Sequence, residues 1–139
     1  MQGKVHELRP RPPESEKVTI NLGFVDLGQI DLLVDEAFYS NRTDFIRTAI
    51  RNQLVRHDEQ VKASVSRRRV DVGLRRYTRA DFEAVLADGR QLDIVVLGLV
   101  ILADDISPEL AKAAIGSVQV LGALQASPAV KAALQDRLR

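Results

Sequence analysis

Six residues of strict polar and apolar alternation near the start of the chain place the strongest constraint on its fold. Their side chains fall on two faces, with Val18, Ile20 and Leu22 on one and Lys17, Thr19 and Asn21 on the other. This pattern predicts a β-strand with one buried face. Because two helical patterns follow, the backbone groups of this strand have no ladder partner nearby in the chain. We therefore expect the strands of two chains to pair antiparallel in a twofold dimer.

Two amphipathic helices are predicted after the strand. The first begins at Asp26, which stands three residues before Gln29 as in a capping box. The second begins after Asn41, a good N-cap, and its apolar stripe extends as far as Val65. Arg67–Arg69 are then predicted to form a linker. Strand and helices together supply an apolar dimer core, consisting of Val18, Ile20, Leu22, Ile30, Leu33, Phe45, Ile46, Ala49 and Ile50.

The second half of the chain carries an internal repeat. Gly73, Gly98 and Gly122 stand 25 and then 24 residues apart, each after a β-branched run and before a short helix with a Thr or Ser cap. Strand, turn and helix are thus predicted three times. Units of this size cannot bury both of their faces alone, so we expect them to stack as a small solenoid-like module.

These patterns predict an α+β protein with three parts. Residues 1–16 are expected to be a disordered arm, because prolines alternate there with charged residues without periodicity. Residues 17–66 form the predicted strand–helix–helix dimerisation domain. Residues 67–139 form the predicted repeat module, which we expect to serve in oligomerisation or in binding a protein partner.

Composition excludes several classes of function. The chain has no cysteine and two distant histidines, which argues against thiolate chemistry and against a metal site. No nucleotide-binding, hydrolase or metalloprotease motif is present, so we expect no enzymatic activity and no cofactor. The longest apolar run, residues 94–103, is too short to span a bilayer, and the start of the chain lacks the apolar core of a signal peptide. We expect a cytoplasmic protein without a membrane partner.

The polar face of the paired strands is suited to contact with double-stranded DNA. A two-stranded ribbon fits the major groove, and two copies of Lys17, Thr19 and Asn21 would face the bases. Lysine donates to guanine, asparagine pairs with adenine through two hydrogen bonds, and threonine contacts thymine or donates a hydrogen bond. These three residues are the predicted base-reading set.

The start of the second helix is suited to contact with phosphate. The backbone N–H groups of Arg42, Thr43 and Asp44 lie in its first turn, together with the Arg42 side chain and the Thr43 hydroxyl. Arg47 follows on the polar face of the same helix. The predicted phosphate-binding residues are Asn41, Arg42, Thr43 and Arg47.

Residues 17–56 resemble the ribbon-helix-helix family of DNA-binding proteins, the Arc/MetJ/CopG class. The resemblance lies in two runs, Lys17-Val18-Thr19-Ile20-Asn21-Leu22 and Tyr39-Ser40-Asn41-Arg42-Thr43-Asp44-Phe45-Ile46-Arg47. It implies that Lys17, Thr19 and Asn21 match the base-reading strand positions and that residues 41–43 match the phosphate-clamping helix start. The chain departs from the family at residues 23–25, where a shorter polar or proline turn is common.

The function predicted from these features is sequence-specific DNA binding by a homodimeric transcriptional regulator, a repressor, that inserts its ribbon in the major groove. Two alternatives remain open. The protein is an antitoxin whose C-terminal half binds a toxin, or it is a structural protein that self-assembles through the repeat module, since an uncapped solenoid leaves strand edges open.

Overall fold

The computed structural model of the protein describes residues 15–139, which divide into two units, residues 17–68 and residues 69–139. All but the last two residues of the predicted disordered arm lie outside the described part of the chain. Among the described residues, no helix is long and apolar enough to cross a membrane.

The first unit contains three helices: α1 (Phe24–Asp35), α2 (Arg42–Arg56) and α3 (Asp58–Arg68). Residues 17–22 carry no regular secondary structure within the single chain. A lone strand has no hydrogen-bonded ladder, so the predicted ribbon requires a second chain and stays a prediction.

The start of α1 differs from the expectation. Its N-cap is Gly23, in an extended conformation and without a side-chain hydrogen bond, so the predicted cap at Asp26 is wrong. The N-cap lies three residues earlier than the capping-box spacing indicated, and Asp26 lies in the first turn of the helix. A carboxylate there still interacts favourably with the positive end of the helix dipole.

The arginine cluster and the length of α2 also differ from the prediction. The predicted continuous helix is interrupted at His57, whose N–H bonds to the Leu54 carbonyl at 3.1 Å as α2 ends. The next helix, α3, then includes Arg67 and Arg68 in its last turn, where a linker was predicted. Cations at a helix C-terminus are stabilised by the helix dipole, which favours this outcome.

The second unit alternates strands and helices. Its strands are β1 (Asp71–Tyr77), β2 (Leu92–Leu102) and β3 (Ile115–Gln125), and its helices are α4 (Arg79–Ala87), α5 (Pro108–Ala114) and α6 (Pro128–Ala133). The strands form one parallel sheet in the order β1-β2-β3. Each helix begins with the predicted cap, because the hydroxyls of Thr78, Ser107 and Ser127 accept hydrogen bonds from first-turn N–H groups.

The core of this unit lies between the helices and one face of the sheet. Phe82 of α4, Ala111 of α5 and Val130 of α6 are buried against alternate residues of β2 and β3. The strand residues of this core are apolar and include Ile94, Val96, Val100, Leu102, Ile115 and Val118. Helices α4 to α6 therefore cover one face of the sheet.

The three repeat glycines lie side by side across the sheet. Gly73 pairs with Gly98, and Gly98 pairs with Gly122. All three have φ between +120° and +140°, which side chains rarely adopt. A Cβ on Gly98 would overlap the Gly73 carbonyl oxygen, and one on Gly122 would overlap that of Gly98. Glycine is therefore favoured at all three positions by φ, and at Gly98 and Gly122 also by the close approach of the neighbouring backbone.

Candidate nucleic-acid interface

The polar face of residues 17–22 is exposed, as base reading requires. Lys17, Thr19 and Asn21 all lie open to solvent. The apolar side chains between them are exposed as well, at 79% for Val18, 59% for Ile20 and 39% for Leu22. This apolar row is therefore not buried by any part of the single chain that the structure describes.

The predicted dimer core is equally incomplete within one chain. Of its helical members, Ile30 alone is buried, whereas Ala49 and Ile50 are exposed, Ile50 to 53%. The remaining helical members are half-buried, namely Leu33, Phe45 and Ile46. The two helices thus leave an open apolar surface in the same unit as the apolar side chains of residues 17–22.

The start of α2 is a reciprocal cap. The Asn41 side chain accepts a hydrogen bond from the Asp44 N–H at 2.8 Å, and the Asp44 carboxylate accepts one from the Ser40 N–H at 3.0 Å. The predicted N-cap is therefore confirmed. The Asp44 N–H, however, is already bonded and is not available to a phosphate, which corrects that part of the prediction. The N–H groups of Arg42 and Thr43 remain in the first helical turn, where no carbonyl of the helix can accept from them.

An aromatic contact fixes the approach to this helix start. The Tyr39 and Phe45 rings meet edge to face, with centroids 5.0 Å apart and planes at 82°. The two residues lie on either side of the Asn41 cap, in an arrangement like a hydrophobic staple. Sequence reasoning missed this contact, although aromatic residues at these positions around a cap are its signal.

Arg42 is held by α1. Its guanidinium donates two hydrogen bonds to the Asp31 carboxylate, both at 2.8 Å. These bonds lower the pKa of Asp31 and raise the pKa of Arg42. The sequence analysis did not predict this ion pair, which joins residues on two different helices. The Asp31 carboxylate thus fixes the orientation of the Arg42 guanidinium and partly neutralises its positive charge.

The remaining predicted contacts lie on the surface. Thr43 and Arg47 are exposed on α2, and the arginines Arg51 and Arg56 follow along the same helix. Among residues 15–139, no group of three or more histidine, aspartate or glutamate side chains is arranged to hold a metal ion. The exposed arginines and the N–H groups at the helix start can donate hydrogen bonds and attract an anion.

Comparison with known proteins supplies the family. The model of the ribbon-helix-helix transcriptional regulator family matches residues 13–131. The match extends well beyond the N-terminal segment that carried the resemblance and includes most of the sheet unit. No curated protein and no solved structure matches the chain significantly. Because the family model covers most of the sequence, the chain belongs to the ribbon-helix-helix family of transcriptional regulators, which bind DNA.

Proposed function

We propose that the protein is a sequence-specific repressor that binds DNA as a homodimer through residues 17–22. One observation carries this proposal. An alternating segment exposes an apolar row and a polar row at once, directly before two helices whose apolar surface is also open. Antiparallel pairing of two such segments would cover the apolar row, satisfy the backbone groups and leave the polar row on the outside.

The polar row would then read bases. When the two segments pair, the ribbon presents two copies of Lys17, Thr19 and Asn21, and it is narrow enough to enter the major groove. Thr19 and Asn21 have short side chains, so the directions of their hydrogen bonds are well defined. Each good base contact contributes discrimination of about 1–3 kcal/mol.

The helix start would position the ribbon on the backbone of the duplex. The N–H groups of Arg42 and Thr43 and the Thr43 hydroxyl are exposed at the positive end of α2. Asp31 orients the Arg42 guanidinium, and because both side chains are exposed, a phosphate oxygen can replace the carboxylate at little cost. Arg47 would contribute a further charge contact. Asn41 has a structural role in this proposal, since its side chain caps the helix.

The sheet unit would serve self-association in a regulator of this kind. The antitoxin alternative is less well supported, because toxin-binding tails are often disordered before binding, whereas residues 69–139 have a buried core of their own. The third possibility, a purely structural polymer, does not account for the DNA-binding family of the chain.

The test is selection of binding sites by the full-length protein from a random duplex pool, with Asn21→Ala beside it. We expect one palindromic site for the wild type and a loss of preference at one base position in each half-site for Asn21→Ala, with nonspecific binding nearly unchanged. Asn52→Ala, at an exposed position of α2, is the matched control and should retain the full preference. An equal loss of affinity for all sequences in Asn21→Ala would contradict the base-reading role.

A further inference from the structure

We infer that the two copies in the dimer pack their sheets against each other through the sheet surface opposite helices α4 to α6. This inference rests on the proposed homodimer and adds to it a second contact between the same two chains. It concerns a surface in the second unit that neither the DNA-binding segment nor the helix layer uses.

The surface in question, called here the outer face, is apolar across its middle rows. Its apolar residues are Val72 and Leu74 of β1, Val95, Leu97, Leu99 and Ile101 of β2, and Leu121 and Ala123 of β3. The same face carries polar side chains toward its ends, namely Arg76, Asp93, Ser117, Gln119 and Gln125. The strand register aligns these residues in rows across the sheet. One row contains Val72, Leu97 and Leu121, and the next contains Leu74, Leu99 and Ala123.

Burial separates the outer face from the core. In β2 the buried residues Ile94, Val96, Val100 and Leu102 alternate with the four outer residues, which are only half-buried. At the edges of the sheet the exposure is larger, at 59% for Val72. The helices pack on the opposite side of the sheet, so no helix within residues 69–139 covers the outer face.

A parallel sheet with one bare apolar face is physically unusual. Parallel sheets occur almost only with both faces covered, and their strands are accordingly apolar on both sides. The continuous apolar run of β2 has that character. The sequence of the strand is therefore suited to a sheet whose second face is also in contact with protein.

The size of the outer face indicates what covers it. Three strands at about 4.8 Å spacing and seven residues at about 3.3 Å each give a flat area on the order of 300 Å². A stable interface between independent proteins buries about 800 Å² on each partner. The outer face is too small to hold a free partner, but it suffices for a copy that another contact already keeps at high effective concentration. The paired ribbon would supply such a copy.

The charges around the outer face favour a twofold arrangement. Arg76 lies on this face at the carboxyl end of β1, and Asp93 lies at the amino end of β2. A twofold axis along the central row, through Leu97, sets the carboxyl end of one sheet over the amino end of the other. Opposite charges then approach each other at both ends of the apolar rows, and the contact is self-complementary.

The absence of cysteine from the chain allows a direct test by cross-linking. In the full-length protein, Val72→Cys introduces a thiol at an exposed position of the central row, where two sheets about 10 Å apart would bring the two thiols close. Leu86→Cys is the control, because Leu86 is 38% exposed on α4, on the helix side of the sheet. With a short bis-maleimide at dilute concentration, we expect at least tenfold more covalent dimer for Val72→Cys than for Leu86→Cys.

Leu97→Glu in the Val72→Cys background places two carboxylates on the proposed axis and should abolish the excess cross-linking. Circular dichroism checks that the sheet unit of this variant remains folded. Leu121→Gln, at an exposed position of the same row, is a second and milder variant for the same test. Equal cross-linking in the two single-cysteine proteins, with a dimeric mass by light scattering and intact DNA binding, would overturn the sheet contact and leave the ribbon in place.

Two further outcomes separate this inference from the proposed function. A dimeric mass that survives Ile20→Glu but is lost in Leu97→Glu would overturn the ribbon and the argument that the outer face needs it, and would still identify the outer face as an interface. A molecular mass that grows continuously with protein concentration would instead indicate open-ended polymerisation, in which β1 of one chain pairs with β3 of the next. That outcome would overturn the face-to-face contact.

Discussion

The two units of this chain differ in how much of their own apolar surface they can bury. In residues 17–68, Ile30 is the one buried apolar side chain, whereas Phe24, Ile50 and Leu54 are more than half exposed. In residues 69–139, three helices enclose a continuous core against one face of a sheet. The second unit therefore has a buried core of its own, whereas the first leaves most of its apolar side chains exposed in the single chain.

The physical reason lies in the elements themselves. Residues 17–22 carry no regular secondary structure in the single chain, so the helices of the first unit have no sheet against which to bury their apolar side chains. The three strands of the second unit find ladder partners within the chain, because each strand pairs with the one before it in the sheet. The four predictions below weaken one unit at a time, from the largest expected effect to the smallest.

Phe82→Ala should have the largest effect on stability. Phe82 is fully buried in the core of the second unit, so its truncation leaves a cavity and should lower the free energy of unfolding by about 3–5 kcal/mol. Urea denaturation followed by circular dichroism measures this loss. Val61→Ala, at a 41% exposed position of α3, is the control and should change it by less than about 1 kcal/mol. Similar losses for both variants would contradict the difference between the units.

Gly98→Ala should cost about 3 kcal/mol, because φ is +140° there and the added Cβ meets the Gly73 carbonyl. Gly28→Ala is the matched control in the first unit. Gly28 lies within α1 with no atom within 4 Å of a built Cβ, so alanine should stabilise that helix by roughly 0.5–1 kcal/mol. Thermal unfolding of both variants measures the two opposite shifts, and a stable Gly98→Ala protein would refute the requirement for glycine in the sheet.

Arg42→Ala should weaken binding to every DNA sequence and flatten the dependence of log affinity on log salt by about one unit. The reason is that its guanidinium lies at the helix start proposed to bind phosphate. Titration of a labelled duplex at several salt concentrations measures the slope. Arg79→Ala, in the second unit, is the control and should leave the slope unchanged. If the salt dependence of Arg42→Ala equals that of the wild type, Arg42 does not contact a phosphate.

The Asp31–Arg42 pair should add a small dependence of stability on pH. Its hydrogen bonds lower the pKa of Asp31 below the ordinary value of 3.8, so the pair stabilises the folded state above that pH. The contribution is lost as the pH falls through the lowered pKa, because the carboxylate must then be protonated. Melting temperatures of wild type and Asp31→Asn should therefore converge in acid. The difference at neutral pH should be slight, since both groups are exposed and screened by salt.

Local rules predicted the parts of the structure that depend on short-range contacts. The caps at Asn41, Thr78, Ser107 and Ser127 were all readable from residue type, because a cap is a bond between neighbours in sequence. The start of α1 could not be predicted in this way, because its N-cap, Gly23, makes no side-chain hydrogen bond. The break at His57 was missed for a related reason, because one residue of irregular backbone hardly disturbs an apolar stripe.

For the candidate site, residue type identified exposed groups but not their partners. Lys17, Thr19 and Asn21 are exposed, but so are the apolar residues between them, and the role of the three polar residues in base reading stays a prediction. Arg42 was predicted as a phosphate ligand, yet its bond to Asp31 joins residues 11 positions apart on two helices. No spacing rule within one helix indicates such a contact.

By itself, the sequence determined the alternation of residues 17–22, the positions of the helix caps and the recurrence of a glycine in each strand. The alternation and the caps depend on residues only a few positions apart, and the glycine recurrence is visible as a repeat in the sequence. Only the tertiary structure decided that Gly73, Gly98 and Gly122 meet across one parallel sheet and that the helices cover just one of its faces. Register and layering depend on contacts between distant segments, because a strand apolar on both sides gives no indication of which side the helices will cover.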